Sequence, residues 1–177
     1  MLSCMYYSRI KDFDTENGIG IGVALFVSGC THHCKNCWNA ETWNFCNGEE
    51  FTDSTLKELL GYLDHYYVEY FSILGGEPFE QQNKKKVLDI LKSVRNKYGD
   101  GLKYFIWSGY TYETLMQDEI SSQILSLCDY LIDGEYVDEE RDLSLLLRGS
   151  RNQRIIDLKV TSNMLGIKVL TREEELY

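Results

Sequence analysis

Four short apolar runs, each separated from the next by a stretch of helical periodicity, constrain this chain more than any other feature. They are "GIGVALFVS" (20–28), "EYFSIL" (69–74), "KYFIW" (103–107) and "DYLID" (129–133). Each is rich in β-branched or aromatic residues, as strands buried on both faces are. Between them, Leu56, Leu59, Leu60 and Leu63 recur at helical spacing, and the predicted helix spans 53–67 with Thr55 and Glu58 as its capping box. Val87, Leu91, Val94 and Tyr98 mark a second helix over about 80–98, and a third is predicted over roughly 112–127. Strands that alternate with helices need right-handed crossovers, which produce a parallel sheet under helical cover. "RIIDL" (154–158) and "GIKVL" (166–170) are weaker strand candidates. The fold class is therefore α/β with a largely parallel sheet, and the 177 residues are expected to form a single domain, 1–177.

In such sheets, ligands bind beyond the carboxyl ends of the strands. The loops that open there carry the unusual residues: "GCTHHCKNC" after the first strand, "GGEP" after the second, "SGY" after the third and "DGEY" after the fourth. They are expected to converge on one mouth.

The first loop holds Cys30, Cys34 and Cys37 at C-x3-C-x2-C, with no obvious fourth cysteine. A buried helical stripe would place the thiols at i, i+4 and i+7, but the intervening residues are Thr, His, Lys and Asn. A structural zinc site needs a fourth ligand, which His32, His33 or Cys46 would have to supply, and no second C-x2-C knuckle is present. A cubane iron–sulfur cluster makes use of the missing ligand. Three thiolates leave one iron open to a small molecule bearing an amine and a carboxylate, such as S-adenosylmethionine (SAM). In "GGEP", Gly75 and Gly76 permit a sharp bend and close backbone approach to a ligand, and Glu77 offers an acceptor to a cationic amine. A plain strand-to-helix turn would explain the glycine pair taken alone.

Composition narrows the partners. A formal net charge of −10 argues against nucleic acid, whose phosphates require a basic surface. The longest apolar run is too short to span a bilayer, and the amino terminus lacks the pattern of a secretory signal, so no membrane association and a cytoplasmic location are expected. Six cysteines in such a compartment point to metal or redox chemistry more than to disulfides.

C-x3-C-x2-C followed by "GGEP" resembles the radical SAM superfamily. "SGCTHHCKNCWNAETWNF", "GGEPF", "WSGYTYE", "LIDGEY" and "DLSLLLRGSRNQRIIDL" together resemble the activating proteins of anaerobic ribonucleoside-triphosphate reductase, from about residue 6 to residue 158. The resemblance implies a partial β/α barrel whose [4Fe–4S] cluster is held by Cys30, Cys34 and Cys37. It implies that SAM is held by Gly75, Gly76 and Glu77 and by the chain around Asn36, Cys37 and Trp38. Asn36 stands where many superfamily members carry an aromatic residue. The implied activity is reductive cleavage of SAM to a 5′-deoxyadenosyl radical, which generates a glycyl radical on the reductase, with no side chain acting as general acid or base. A donor such as flavodoxin or ferredoxin would supply the electron. Two alternatives stay open: activation of another glycyl-radical enzyme such as a formate lyase, and a non-catalytic metal-binding module. Ser108 and Asp133, at strand ends, and the basic residues Arg148, Arg151 and Arg154 are secondary candidates for contacts at the mouth.

Overall fold

A computed structural model describes residues 4–163 and 166–170. Its strands are β1 (Tyr6–Asp14), β2 (Gly22–Val27), β3 (Glu49–Glu50), β4 (Tyr70–Gly75), β5 (Lys103–Ser108), β6 (Tyr130–Asp133) and β7 (Arg154–Asp157). The helices are α1 (Asp53–Leu63), α2 (Lys84–Tyr98), α3 (Tyr112–Leu115), α4 (Glu119–Ser126) and α5 (Leu158–Asn163). The strands form one sheet in the order β3-β1-β2-β4-β5-β6-β7. The four predicted apolar runs are its parallel centre, β2, β4, β5 and β6. The flanks are antiparallel: β1 pairs with β2 and with β3, and β7 pairs with β6.

Burial explains the centre. Every residue of β2 and β6 is buried, and in β4 only the terminal Gly75 is not. One face of the sheet is covered by helices. Leu59 and Leu63 of α1, Val87, Ile90, Leu91 and Val94 of α2, and Ile124 and Leu125 of α4 meet Val23, Leu25, Ile73, Tyr104 and Ile106 there. The alternate residues face the other way, where Tyr70, Phe105, Tyr130, Ile132 and Ile155 form an aromatic-rich cluster. Irregular chain covers that second face, with Leu146 and Leu147 packed on it. Among the described residues no helix is long and apolar enough to cross a membrane.

Several local expectations change. β1, "YYSRIKDFD", was not visible as an apolar run because it lies near one end of the sheet and most of its residues are only partly buried. Helix α1 is capped by Thr52, whose side chain accepts from Thr55 N, so the capping box pairs Thr52 with Thr55 and not Thr55 with Glu58. The single helix predicted over 112–127 is two, because Asp118 takes extended backbone and caps α4. The second predicted helix begins only at Lys84, after turns at 78–83. Residues 166–170 form a bridge from Val169 to Ile156, with no full strand.

Candidate functional site

The four loops predicted to converge do meet at the carboxyl edge of the parallel strands, and Glu77 joins the first three. Its carboxylate is 1% exposed. Oε1 accepts from Phe79 N at 3.0 Å and from Ser108 Oγ at 3.0 Å. Oε2 accepts from Gly109 N at 2.8 Å and lies 3.1 Å from His32 Nε2. The Glu77 side chain is thus occupied in binding the second loop to the third and to the cysteine loop. Backbone bonds draw the first two loops closer still: Gly76 N donates to Val27 O at 2.8 Å and Glu77 N to Gly29 O at 2.8 Å. Gly75 takes φ +107°, a left-handed conformation, and a Cβ there would sit 2.9 Å from Phe26 Cα and Val27 O. Only glycine lets β4 end this close to β2.

The cysteine loop folds on a base made by Ala40–Trp43, where Gly29 N donates to Thr42 O and Cys30 N to Trp43 O. Two non-glycine residues inside it, His33 (φ 52°) and Asn36 (φ 56°), are left-handed, and Cys37 N donates to Cys34 O at 3.1 Å. Thr31 anchors it to the turn after "GGEP", its N and Oγ1 both donating to Glu80 Oε1. Cys30 is buried, Cys34 and Cys37 are half-buried, and all three are free thiols. Burial pushes the Cys30 thiol up to about 12, backbone hydrogen bonds from His32 and His33 oppose it, and the charges of Glu77 and Cys34 add to it. Burial likewise raises Cys34, with the charges of Glu135 and Cys37 as smaller causes. Among the described residues, no three His, Cys, Asp or Glu side chains already stand as a metal-binding group. Three thiols nevertheless fit an iron–sulfur cluster that keeps one iron open, whereas a structural zinc site would require a fourth protein ligand. His33 packs on Trp43 at 4.7 Å between ring centroids.

The chain after β6 straps the cysteine loop from its other side. His32 Nδ1 lies 2.9 Å from Glu135 Oε1, Asn36 Nδ2 donates to Asp138 Oδ2 at 2.8 Å, and Lys35 Nζ bonds Glu139 at 2.9 Å. Arg141 sits over the Trp38 ring at 5.7 Å. Trp38 itself is 63% exposed, so it stands on the rim of the mouth. The sequence offered His32 only as a possible zinc ligand and Glu135 only as part of "DGEY". The pairings His32–Glu135 and Asn36–Asp138 were hidden because the partners lie about a hundred residues apart. The hydrogen bond to Glu77, the leading cause, raises His32 to about 9 against the opposing effect of burial, with Glu135 adding to it.

The secondary candidates have structural partners. Ser108 Oγ serves Glu77 and accepts from Tyr110 N. Asp133, buried at the end of β6, accepts from Tyr112 N at 2.7 Å and from Arg154 Nε at 2.9 Å, and Arg154 also reaches both oxygens of Glu113. Arg151 pairs loosely with Asp142 at 3.6 Å, and Arg148 Nη1 reaches Gln153 O. The three arginines therefore do not act as one basic cluster.

Fold and loops define a class: an α/β protein that presents a three-thiol loop beside a glycine turn at the carboxyl edge of parallel strands. A family described as a 4Fe-4S single cluster domain matches residues 16–156. Curated relatives bear the name anaerobic ribonucleoside-triphosphate reductase-activating protein. That of Enterobacteria phage T4 is 37% identical over 151 residues, 85% of this chain and 93% of its own length. That of Pasteurella multocida (strain Pm70) is 36% identical over 153 residues, 85% of this chain and 96% of its own. That of Escherichia coli (strain K12) is 32% identical over 157 residues, 88% of this chain and 100% of its own. The chain belongs to this family of anaerobic ribonucleoside-triphosphate reductase-activating proteins.

Proposed function

We propose that this chain is a radical SAM activase whose target is anaerobic ribonucleoside-triphosphate reductase. The observation that carries the reading is the direct joining of the three-thiol loop to the "GGEP" turn, Glu77 N donating to Gly29 O and Gly76 N to Val27 O. Cys30, Cys34 and Cys37 hold a [4Fe–4S] cluster, and the missing fourth thiol leaves SAM its place. The backbone of Gly75, Gly76 and Glu77 receives the amino-acid end of SAM, while the Glu77 carboxylate fixes the turn from behind. The chain at Asn36, Cys37 and Trp38 borders the nucleoside end, with the Asn36 side chain turned to Asp138. When bound, cluster and SAM supply a one-electron cleavage of the sulfonium, giving methionine and a 5′-deoxyadenosyl radical that takes a hydrogen atom from a backbone glycine of the reductase.

The rest of the chain positions and shields. Buried Phe26 and Leu74, with half-buried Trp107 packed against them, exclude water below the mouth, as radical chemistry requires. A sheet that ends at β3 and β7 without closing, helical on one face and aromatic on the other, supports the reading of residues 1–177 as one incomplete β/α barrel of the radical SAM type. The open side admits a protein substrate. Flavodoxin or ferredoxin is the proposed electron donor and the cytoplasm the proposed compartment.

Anaerobic reconstitution tests the reading. About four irons per chain are expected, as one cubane requires, and SAM with reductant should release 5′-deoxyadenosine. Cys34→Ala should lose both. With the reductase present, electron paramagnetic resonance should detect a glycyl radical on that partner. Uptake of zinc without iron, or full activity in Cys34→Ala, would overturn the assignment.

A further inference from the structure

We propose that His32 is a positioning residue that sets the cysteine loop against the other three loops of the mouth, a role that rests on reading this mouth as the cluster and SAM site. Its ring is 8% exposed and offers a polar nitrogen on each of two edges. Nε2 meets Glu77 of the second loop at 3.1 Å, and Nδ1 meets Glu135 of the fourth at 2.9 Å. The ring packs edge-on against Tyr110 beyond β5, with centroids 4.5 Å apart. The third loop is shaped around it: a Cβ on Gly109 would lie 2.6 Å from the ring atoms Cδ2 and Nε2. One side chain between two proposed cluster ligands thus contacts every neighbouring loop.

The consequence is specific. Without the ring, Glu77 keeps its bonds to Phe79, Ser108 and Gly109, so the second and third loops stay joined. Glu135 loses its tie to the cysteine loop, and the thiols are held less firmly against Gly75 and Gly76. The bonds of Gly29 and Thr31 to the second loop and of Lys35 and Asn36 to the fourth remain. Cluster loading needs the thiols alone. SAM binding needs the thiol loop and the glycine turn in register. Removal of His32 therefore separates the two: iron content holds and SAM affinity falls.

The test begins with the metal-free protein. Hydrogen exchange in His32→Ala and His32→Gln should quicken together in residues 29–38 and 134–137, while α2 and β5 keep their protection. Gly109→Ala, which crowds the ring with His32 still present, and Glu135→Gln, which weakens one tie, should give the same pattern in milder form. After reconstitution, His32→Ala should carry the wild-type number of irons. Its dissociation constant for SAM, read from the SAM-induced change in the resonance spectrum of the reduced cluster, should rise about tenfold, as expected for loss of a charge-assisted hydrogen bond. Unchanged exchange in both loops of His32→Ala overturns the proposal, as does a uniform loss of protection along the chain in all four variants. SAM affinity within twofold of wild type also overturns it. A wild-type chain that takes up no iron sinks the functional reading instead, and the exchange pattern still decides whether His32 ties the loops.

Discussion

Asp14 shows how much depends on single partners in this fold. Its carboxylate is buried at the end of β1 and accepts from Tyr70 Oη at 2.6 Å, Asn17 N at 2.9 Å and Asn17 Nδ2 at 3.0 Å. Burial, followed by the bond to Asp14, drives the Tyr70 phenol far above its ordinary value, so the hydroxyl remains a donor. Tyr70→Phe removes that donor and leaves a buried charge with one partner fewer. Urea unfolding should show a loss of about 1–3 kcal/mol, the cost of an unmet hydrogen bond to a charged group; unchanged stability would show that Asn17 and Lys11, whose Nζ donates to Asp14 Oδ1 at 3.3 Å, suffice. The residues of the candidate site differ in how plainly the sequence announces them. Cys30, Cys34 and Cys37 are legible because type and spacing are local. Asn36 in place of an aromatic becomes intelligible only with its backbone: φ 56° suits asparagine, and its amide has Asp138 to bond. The partners of Glu77 are hidden from the sequence, since Ser108 lies 31 and His32 45 positions away.

Among the elements, the parallel centre was legible because β2, β4, β5 and β6 are buried enough to read as apolar runs. β1 was not, since partial burial lets Arg9, Lys11 and Asp12 interrupt it. The break between α3 and α4 escaped the helical periodicity because one residue makes it. Asp118 caps α4, accepting from Ser121 N at 2.8 Å, and also takes Lys84 Nζ of α2 at 2.8 Å. Lys84, then the Ser121 bonds, hold its carboxyl at about 2, below the ordinary 3.8. A carboxyl depressed on folding stabilises the native state above its unfolded value, and that contribution fades as the pH falls through the folded one. The link between α2 and α4 should therefore weaken between about pH 4 and pH 2. Asp118 is 41% exposed on its side chain, so screening keeps the effect small. Asp118→Asn, which still caps but does not titrate, should flatten the slope of stability against pH in that window. An identical slope in the variant would assign acid sensitivity elsewhere, with Glu113, held at about 2 by Arg154, the next group to replace.

The molecule divides its labour between the helical face of its sheet and the carboxyl edge. The helical face carries most of the buried aliphatic side chains and no site residue. The loops at the carboxyl edge carry the thiols, the glycine turn and the buried hydrogen bonds that hold them. If the division is real, stability and cofactor loading should respond to different substitutions. Leu91 of α2 is 1% exposed and lies in the helical layer, so Leu91→Ala leaves a cavity far from the mouth. Its expected cost is about 2–5 kcal/mol in urea unfolding. At a temperature where the variant is still folded, iron per folded chain and the spectral response to SAM should match wild type. Cys34→Ala should show the converse, with little change in unfolding of the metal-free protein and a failure to hold the cluster. Iron loss in Leu91→Ala that tracks its lost stability would mean that the helical layer shapes the mouth directly. The helical face and the mouth would then be one cooperative unit, with no separation of scaffold from site.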